Sequence, residues 1–149
     1  PDWFYYQEWG VSDAEFDSVC DRQFFASLRW MHDGRDILAI AERKFDPVKI
    51  HLLTAPMNNP GSPSGKMDWV LRHLPSYKKR LIITQVPKSL FADPDRLLID
   101  DKDENVAEFV AAGGQGILVP RPWNELRGWA DKTLQVVENS LEELTNGKS

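Results

Sequence analysis

The sequence predicts an α/β fold, a parallel sheet with helices on both faces and a small helical cap region ahead of it. Two features carry that expectation. After residue 47, short apolar runs at residues 49–55, 80–84, 96–99 and 116–119 alternate with segments of helical periodicity. These runs are apolar throughout, as strands covered on both faces are, so a parallel sheet is expected. In such sheets ligands gather at the carboxyl ends of the strands. Here that edge carries Thr54, Ala55, Thr84, Gln85, Asp100 and Asp101.

The elements follow in order. Ser12, with Glu15 three residues on, forms a capping box. Behind it Phe16, Val19, Cys20, Phe24 and Leu28 recur at helical spacing. A second helix is expected over residues 34–45, with Ile37, Leu38, Ile40 and Ala41 apolar, ended by Pro47. The strand at 49–55 leads into a Pro/Asn/Gly/Ser loop (56–65). Residues 66–74 then form a helix stopped by Pro75. A strand at 80–84 and a loop over 89–95 precede the strand at 96–99. A helix over 105–112, closed by Gly113 and Gly114, leads to the last strand. Asn124 is expected to cap a final helix whose Leu126, Ala130, Leu134, Val137, Leu141 and Leu144 form an apolar stripe. The organisation read from this is a helical cap region (1–46), an α/β core (47–145), one compact domain overall, and a frayed tail (146–149).

Composition narrows the function classes. With 149 residues, 42% apolar and 28% charged, the chain is neither disordered nor a membrane protein. Its length is enough to bury roughly 70% of its unfolded surface. No apolar run approaches the roughly 20 residues that span a bilayer, and no signal peptide is visible. A single cysteine, Cys20, forms no internal disulfide, which fits a reducing cytoplasm. A net charge of −5 with no basic block disfavours duplex nucleic acid as partner. The chain opens at Pro1 without an initiator Met and runs into Trp3-Phe4-Tyr5-Tyr6, a start suited to a chain interior.

Asp100-Asp101 is the strongest chemical feature. Two adjacent carboxylates at the mouth of a buried strand repel each other, and a hard cation such as Mg²⁺ relieves the repulsion. Taken alone, the pair fits a solvated turn equally well. Lys88, in the loop before that strand, is placed to neutralise a phosphoryl group, and Thr54 to donate its hydroxyl to the same phosphate. Each alone is commonplace; the ordered set on successive strand ends is not. Other motifs fail. An EF-hand beginning at Asp101 has Val106 at its sixth position and Ala112 at its twelfth. Residues 61–66 are one residue short of a P-loop, with Met67 where Ser or Thr would bind magnesium. Gly113-Gly114-Gln115-Gly116 reads as a helix cap and tight turn. Cys20 reads as core, and His32, His51 and His73 lack metal-ligand spacing.

The ordered set resembles the haloacid dehalogenase-like phosphohydrolases. Leu52-Leu53-Thr54-Ala55 resembles their second motif, Lys88 the third, and Leu97-Leu98-Ile99-Asp100-Asp101 the fourth. The resemblance narrows to the 5′(3′)-deoxyribonucleotidase-like branch of phage and bacterial type. It is carried by residues 24–34, Gly65-Lys66-Met67-Asp68-Trp69-Val70, and residues 97–105. It implies a Rossmann-like core and a Mg²⁺-dependent phosphatase for deoxyribonucleoside monophosphates or a similar small phosphorylated compound. By the resemblance, Asp101 is the metal ligand, with Asp100 its partner behind it. Lys88 holds the nucleophile and phosphoryl oxygens, and Thr54 and the Ala55 backbone cradle the phosphate. Phe25 sits near the base, with Trp3 or Phe4 in a similar role. The family's nucleophile is the first Asp of an Asp-x-Asp after the central strand, and the second Asp is its general acid/base. No such motif follows an apolar strand before Thr54. The expectation is that an N-terminal segment carries it, and that the chain alone is inactive. Two alternatives stand beside this: a catalytically dead nucleotide-binding domain, or an interaction domain completed by a strand from a partner chain. A homodimer is a further possible assembly.

Overall fold

The computed structural model describes residues 6–146. The fold is mixed α/β, with every strand pairing parallel. The strands form two pairs, β1 (Leu52–Thr54) with β2 (Leu81–Ile83), and β3 (Leu97–Asp100) with β4 (Gln115–Leu118). The described residues fall into two compact units, one of residues 6–31 and 45–86, the other of 32–44 and 87–146.

The first unit opens with α1 (Asp13–Val19), whose capping box forms as expected: the Ser12 hydroxyl accepts from the Glu15 amide, and the Glu15 carboxylate accepts from the Ser12 amide. The apolar periodicity through Leu28 is split between two helices. Asp21 stops the first and caps α2 (Arg22–Ser27), its carboxylate accepting from the Phe24 amide at 2.8 Å. A local side-chain acceptor here outcompetes continuation of the helix. Cys20, at the break, is 1% exposed, as expected of a core residue. α4 (Ser62–His73) begins four residues before the expected Lys66, because Pro63 fits the first turn, where its missing N–H costs nothing.

α4 lies against α2. At Gly65 a Cβ would stand 2.3 Å from the Arg22 carbonyl oxygen and 2.9 Å from the Phe25 Cβ. The Trp69 indole donates to the Leu28 carbonyl (2.8 Å) and the Arg72 guanidinium to that of Ala26 (3.0 Å), satisfying carbonyls at the end of α2. Gly65→Ala is therefore expected to destabilise the protein by about 1–3 kcal/mol in urea unfolding, overpacking outweighing the gain in helix propensity. β1 and β2 run in register, Leu52 opposite Leu81 and Thr54 opposite Ile83. The Thr84 amide extends the ladder onto the Thr54 carbonyl at 3.0 Å.

In the second unit, α3 (Gly34–Lys44) buries Ile40 and Ala41. The β3–β4 ladder pairs Leu97 with Gln115 and Asp100 with Leu118. Between them α5 (Asp103–Ala111) closes on Gly113, whose φ of +95° is the left-handed turn that favours glycine. The final helix departs from expectation. Residues Arg127–Lys132 form a 3₁₀ segment, and α6 (Thr133–Asn146) starts only at Thr133. Asn124 accepts from the Leu126 amide but caps no α-helix. The Thr133 hydroxyl instead donates to the carbonyls of Pro120 and Ala130, both at 3.1 Å. The apolar stripe survives in α6, where Val137 and Leu141 are fully buried. Among the described residues no helix is long and apolar enough to cross a membrane.

Candidate functional site

In the first unit, Thr54 ends β1, and its hydroxyl accepts from the Lys66 ammonium at 3.0 Å. The same ammonium lies 4.4 Å from the centre of the Phe25 ring. α4 thus delivers a cation to the strand end, and α2 delivers an aromatic face to that cation. Ala55 follows, exposed, with its backbone at the turn out of β1. Phe25 meets Phe24 edge to face. Thr54, Ala55 and Phe25 therefore share one end of this unit. Lys66 is an addition: the sequence offered it within a failed P-loop and a recognised segment without giving it a role, and its pairing with Thr54 depends on how α4 packs.

In the second unit, Asp100 ends β3 at 8% exposure. Its carboxylate is enclosed by donors. Lys88, which opens a 3₁₀ turn, forms an ion pair with Oδ2; the Lys102 amide donates to Oδ1 at 2.9 Å; the Asn105 amide group reaches both oxygens at 3.2 Å. A buried charge is tolerable when paired and hydrogen-bonded in this way. Sequence reasoning placed Asn105 inside a recognised segment without giving it a role. Its position on the first turn of α5 was the available signal.

Asp101 is different. Among the described residues no side chain hydrogen-bonds its carboxylate. Burial, followed by the charge of Asp100, pushes its pKa above the ordinary carboxylate value, against weaker opposing pulls from a hydrogen bond with its own backbone amide and from the charges of Arg121 and Lys88. The two adjacent carboxylates therefore have unlike environments, one saturated by side-chain and backbone donors and one met only by its own amide. Oxygen donors of this kind suit Mg²⁺, which takes one or two carboxylates and keeps several waters. No group of three His, Cys, Asp or Glu able to hold a metal occurs among the described residues, so a cation here would rest on few protein ligands. His32, itself exposed, lies 3.8 Å from the buried Asp33 carboxylate, and His73 packs against Trp69 and Trp30. Trp3 and Phe4 lie outside the described residues.

Behind the acidic pair, Arg121 (7% exposed) grips Asp33 (4% exposed) with two bonds, Nη1 to Oδ2 at 2.7 Å and Nη2 to Oδ1 at 2.9 Å. Asp33 lies in a segment that carried the resemblance, but its pairing with Arg121 had no signal in the sequence, since 88 positions separate them.

A parallel α/β fold with polar groups at the ends of its strands defines a class, the Rossmann-like α/β cores that present chemistry at strand mouths. The family is narrower. The family model described as 5′ nucleotidase, deoxy (pyrimidine), cytosolic type C protein matches residues 3–134, and the chain belongs to that family. It is a nucleotidase-type hydrolase of the haloacid dehalogenase-like superfamily. No curated protein and no solved structure matches the chain.

Proposed function

We propose that this protein is a cytoplasmic, Mg²⁺-dependent phosphomonoesterase acting on deoxyribonucleoside monophosphates. The observation that carries the proposal is the split between the two carboxylates. Lys88, the Lys102 amide and Asn105 saturate Asp100, while no side chain among the described residues bonds the Asp101 carboxylate, which leaves it open to a cation. Asp101 would hold Mg²⁺, which when bound would supply charge neutralisation to a phosphoryl group. Asp100 orients Lys88, whose ammonium takes the charge that shifts onto phosphoryl oxygens during transfer. The Thr54 hydroxyl and the Ala55 backbone bind phosphate oxygens, Lys66 adds positive charge beside Thr54, and Phe25 offers an apolar face to the base. The reading assigns the attacking carboxylate to an Asp-x-Asp outside these 149 residues. β1 and β3 each have one strand neighbour among the described residues, so either ladder has an edge that a further parallel strand could extend.

The test is phosphate release from deoxyribonucleoside monophosphates by the protein as its gene encodes it. Release is expected to stop on chelation of divalent cations and return with Mg²⁺. Lys88→Ala is expected to lower kcat by about 10²–10³-fold, the usual cost of removing one charge-stabilising donor. Full activity in that variant overturns the mechanism. Nucleotide binding by calorimetry without turnover identifies a degenerate binding domain instead.

A further inference from the structure

Asn124 is 3% exposed, and every hydrogen-bonding position of its side chain is in use. Nδ2 donates to the Asp101 carbonyl at 2.9 Å and to the Val119 carbonyl at 2.8 Å. Oδ1 accepts from the Arg121 amide at 3.2 Å and the Leu126 amide at 3.1 Å. The two carbonyls it grips belong to different segments, one just past β3 and one just past β4. Between those segments the backbone makes one further bond beyond the strands, from the Val119 amide to the Asp100 carbonyl at 2.8 Å. The next residue of the β3 exit is Asp101, and there the amide of Asn124 replaces the ladder.

This arrangement is particular about residue type. Aspartate would set two acceptors against two carbonyls, and alanine would leave the buried Val119 carbonyl and Arg121 amide and the half-buried Asp101 carbonyl and Leu126 amide short of a partner. The clasp also falls on the peptide that carries Asp101, the one carboxylate of the pair that no side chain fixes. A neighbouring bond from the same turn, the Glu125 amide to the Asp103 carboxylate at 3.1 Å, holds α5 rather than the acidic pair.

We infer that Asn124 is a positioning residue: it fixes the backbone of Asp101, and so the direction in which that carboxylate meets a divalent cation. The inference rests on the reading of Asp101 as the cation ligand. Partners behind a metal ligand typically contribute 10–100-fold to metal affinity, and an effect of that size is expected here.

The experiment measures Mg²⁺ affinity by calorimetry in the protein as its gene encodes it, alongside thermal unfolding, for the unaltered protein, Asn124→Asp and Asp103→Ala. Asn124→Asp, folded at the measuring temperature, is expected to bind Mg²⁺ about 10–100-fold more weakly. In the metal-free state, hydrogen exchange at the Lys102 amide is expected to quicken. In turnover, the Mg²⁺ concentration for half-maximal rate is expected to rise while KM for the nucleotide stays constant. Asp103→Ala is expected to lower thermal stability with unchanged Mg²⁺ affinity, which separates positioning from general loosening. If Asn124→Asp does not fold, Asn124→Ala carries the same measurement. Unchanged affinity in a folded Asn124 variant overturns this inference alone. Absence of Mg²⁺ binding in the unaltered protein overturns the reading of the acidic pair, and the inference with it.

Discussion

Asp101→Asn is expected to lower phosphate release by more than about 10²-fold and, in the same protein, to raise thermal stability. The two effects share one cause. The Asp101 carboxylate is partly buried beside a second carboxylate, and the pulls of its own amide, Arg121 and Lys88 do not offset this, so its ionised form is disfavoured in the fold. A carboxyl whose folded pKa lies above its unfolded value burdens the fold when ionised. The burden is absent below the ordinary carboxylate value and grows as pH rises through the raised folded value. Asp101→Asn removes it, so the stability gap between variant and parent is expected to widen over that window and stay constant above it. A gain of about 1 kcal/mol at neutral pH corresponds to a rise in Tm of about 2–4 °C. Cation binding needs the ionised form, so Mg²⁺ affinity is expected to fall as pH drops through the same raised value. Asp100→Asn has the opposite sign. It strips acceptors from Lys88, the Lys102 amide and Asn105, and is expected to destabilise by about 2–3 kcal/mol. Scanning calorimetry on both variants from acid to neutral pH checks the pair. Equal destabilisation by both would remove the distinction between a structural and a functional carboxylate.

Arg121→Ala is expected to be the most destabilising single change described, at about 3–5 kcal/mol. The guanidinium makes both bonds to Asp33 and also donates to the Pro120 carbonyl at 3.1 Å. Removing it leaves a carboxylate that is 4% exposed without its counter-charge, which is far costlier than losing the pair together. The double variant Arg121→Met with Asp33→Leu is therefore expected to recover most of the loss in urea unfolding. A second consequence follows at the acidic pair. The Arg121 charge pulls the Asp101 pKa down, so Arg121→Ala is expected to raise it further and move the pH dependence of Mg²⁺ binding upward. A double variant no more stable than Arg121→Ala would show that the bonds to Pro120 and the surrounding loop, rather than the ion pair, carry the stability.

The features legible in the sequence are those in which cause and effect lie within one turn or one strand. The Ser12–Glu15 box forms because three residues bring the two groups together on any helix start. The alternation of apolar runs and helices yields parallel strands because short connections through helices permit little else. Boundaries were harder. Asp21 caps a helix inside what periodicity reads as one continuous segment, and Pro63 starts α4 within what composition reads as loop. The last helix was set by Thr133, whose hydroxyl reaches Pro120, rather than by Asn124. In each case a residue had two local uses, and packing chose between them.

The sequence by itself determined the fold class, the acidic pair at a strand end, and Thr54 and Lys88 as partners of interest. Composition, period and order along the chain are enough for those. Tertiary structure alone decided that Lys66 joins Thr54, that Lys88 and Asn105 close on Asp100 and not on Asp101, that Asn124 clasps the Asp101 backbone, and that Arg121 neutralises Asp33. The physical reason is that hydrogen bonds and ion pairs are short-ranged, directional contacts. Which distant groups come within about 3 Å of each other is fixed only when the packed helices and strands bring their ends together.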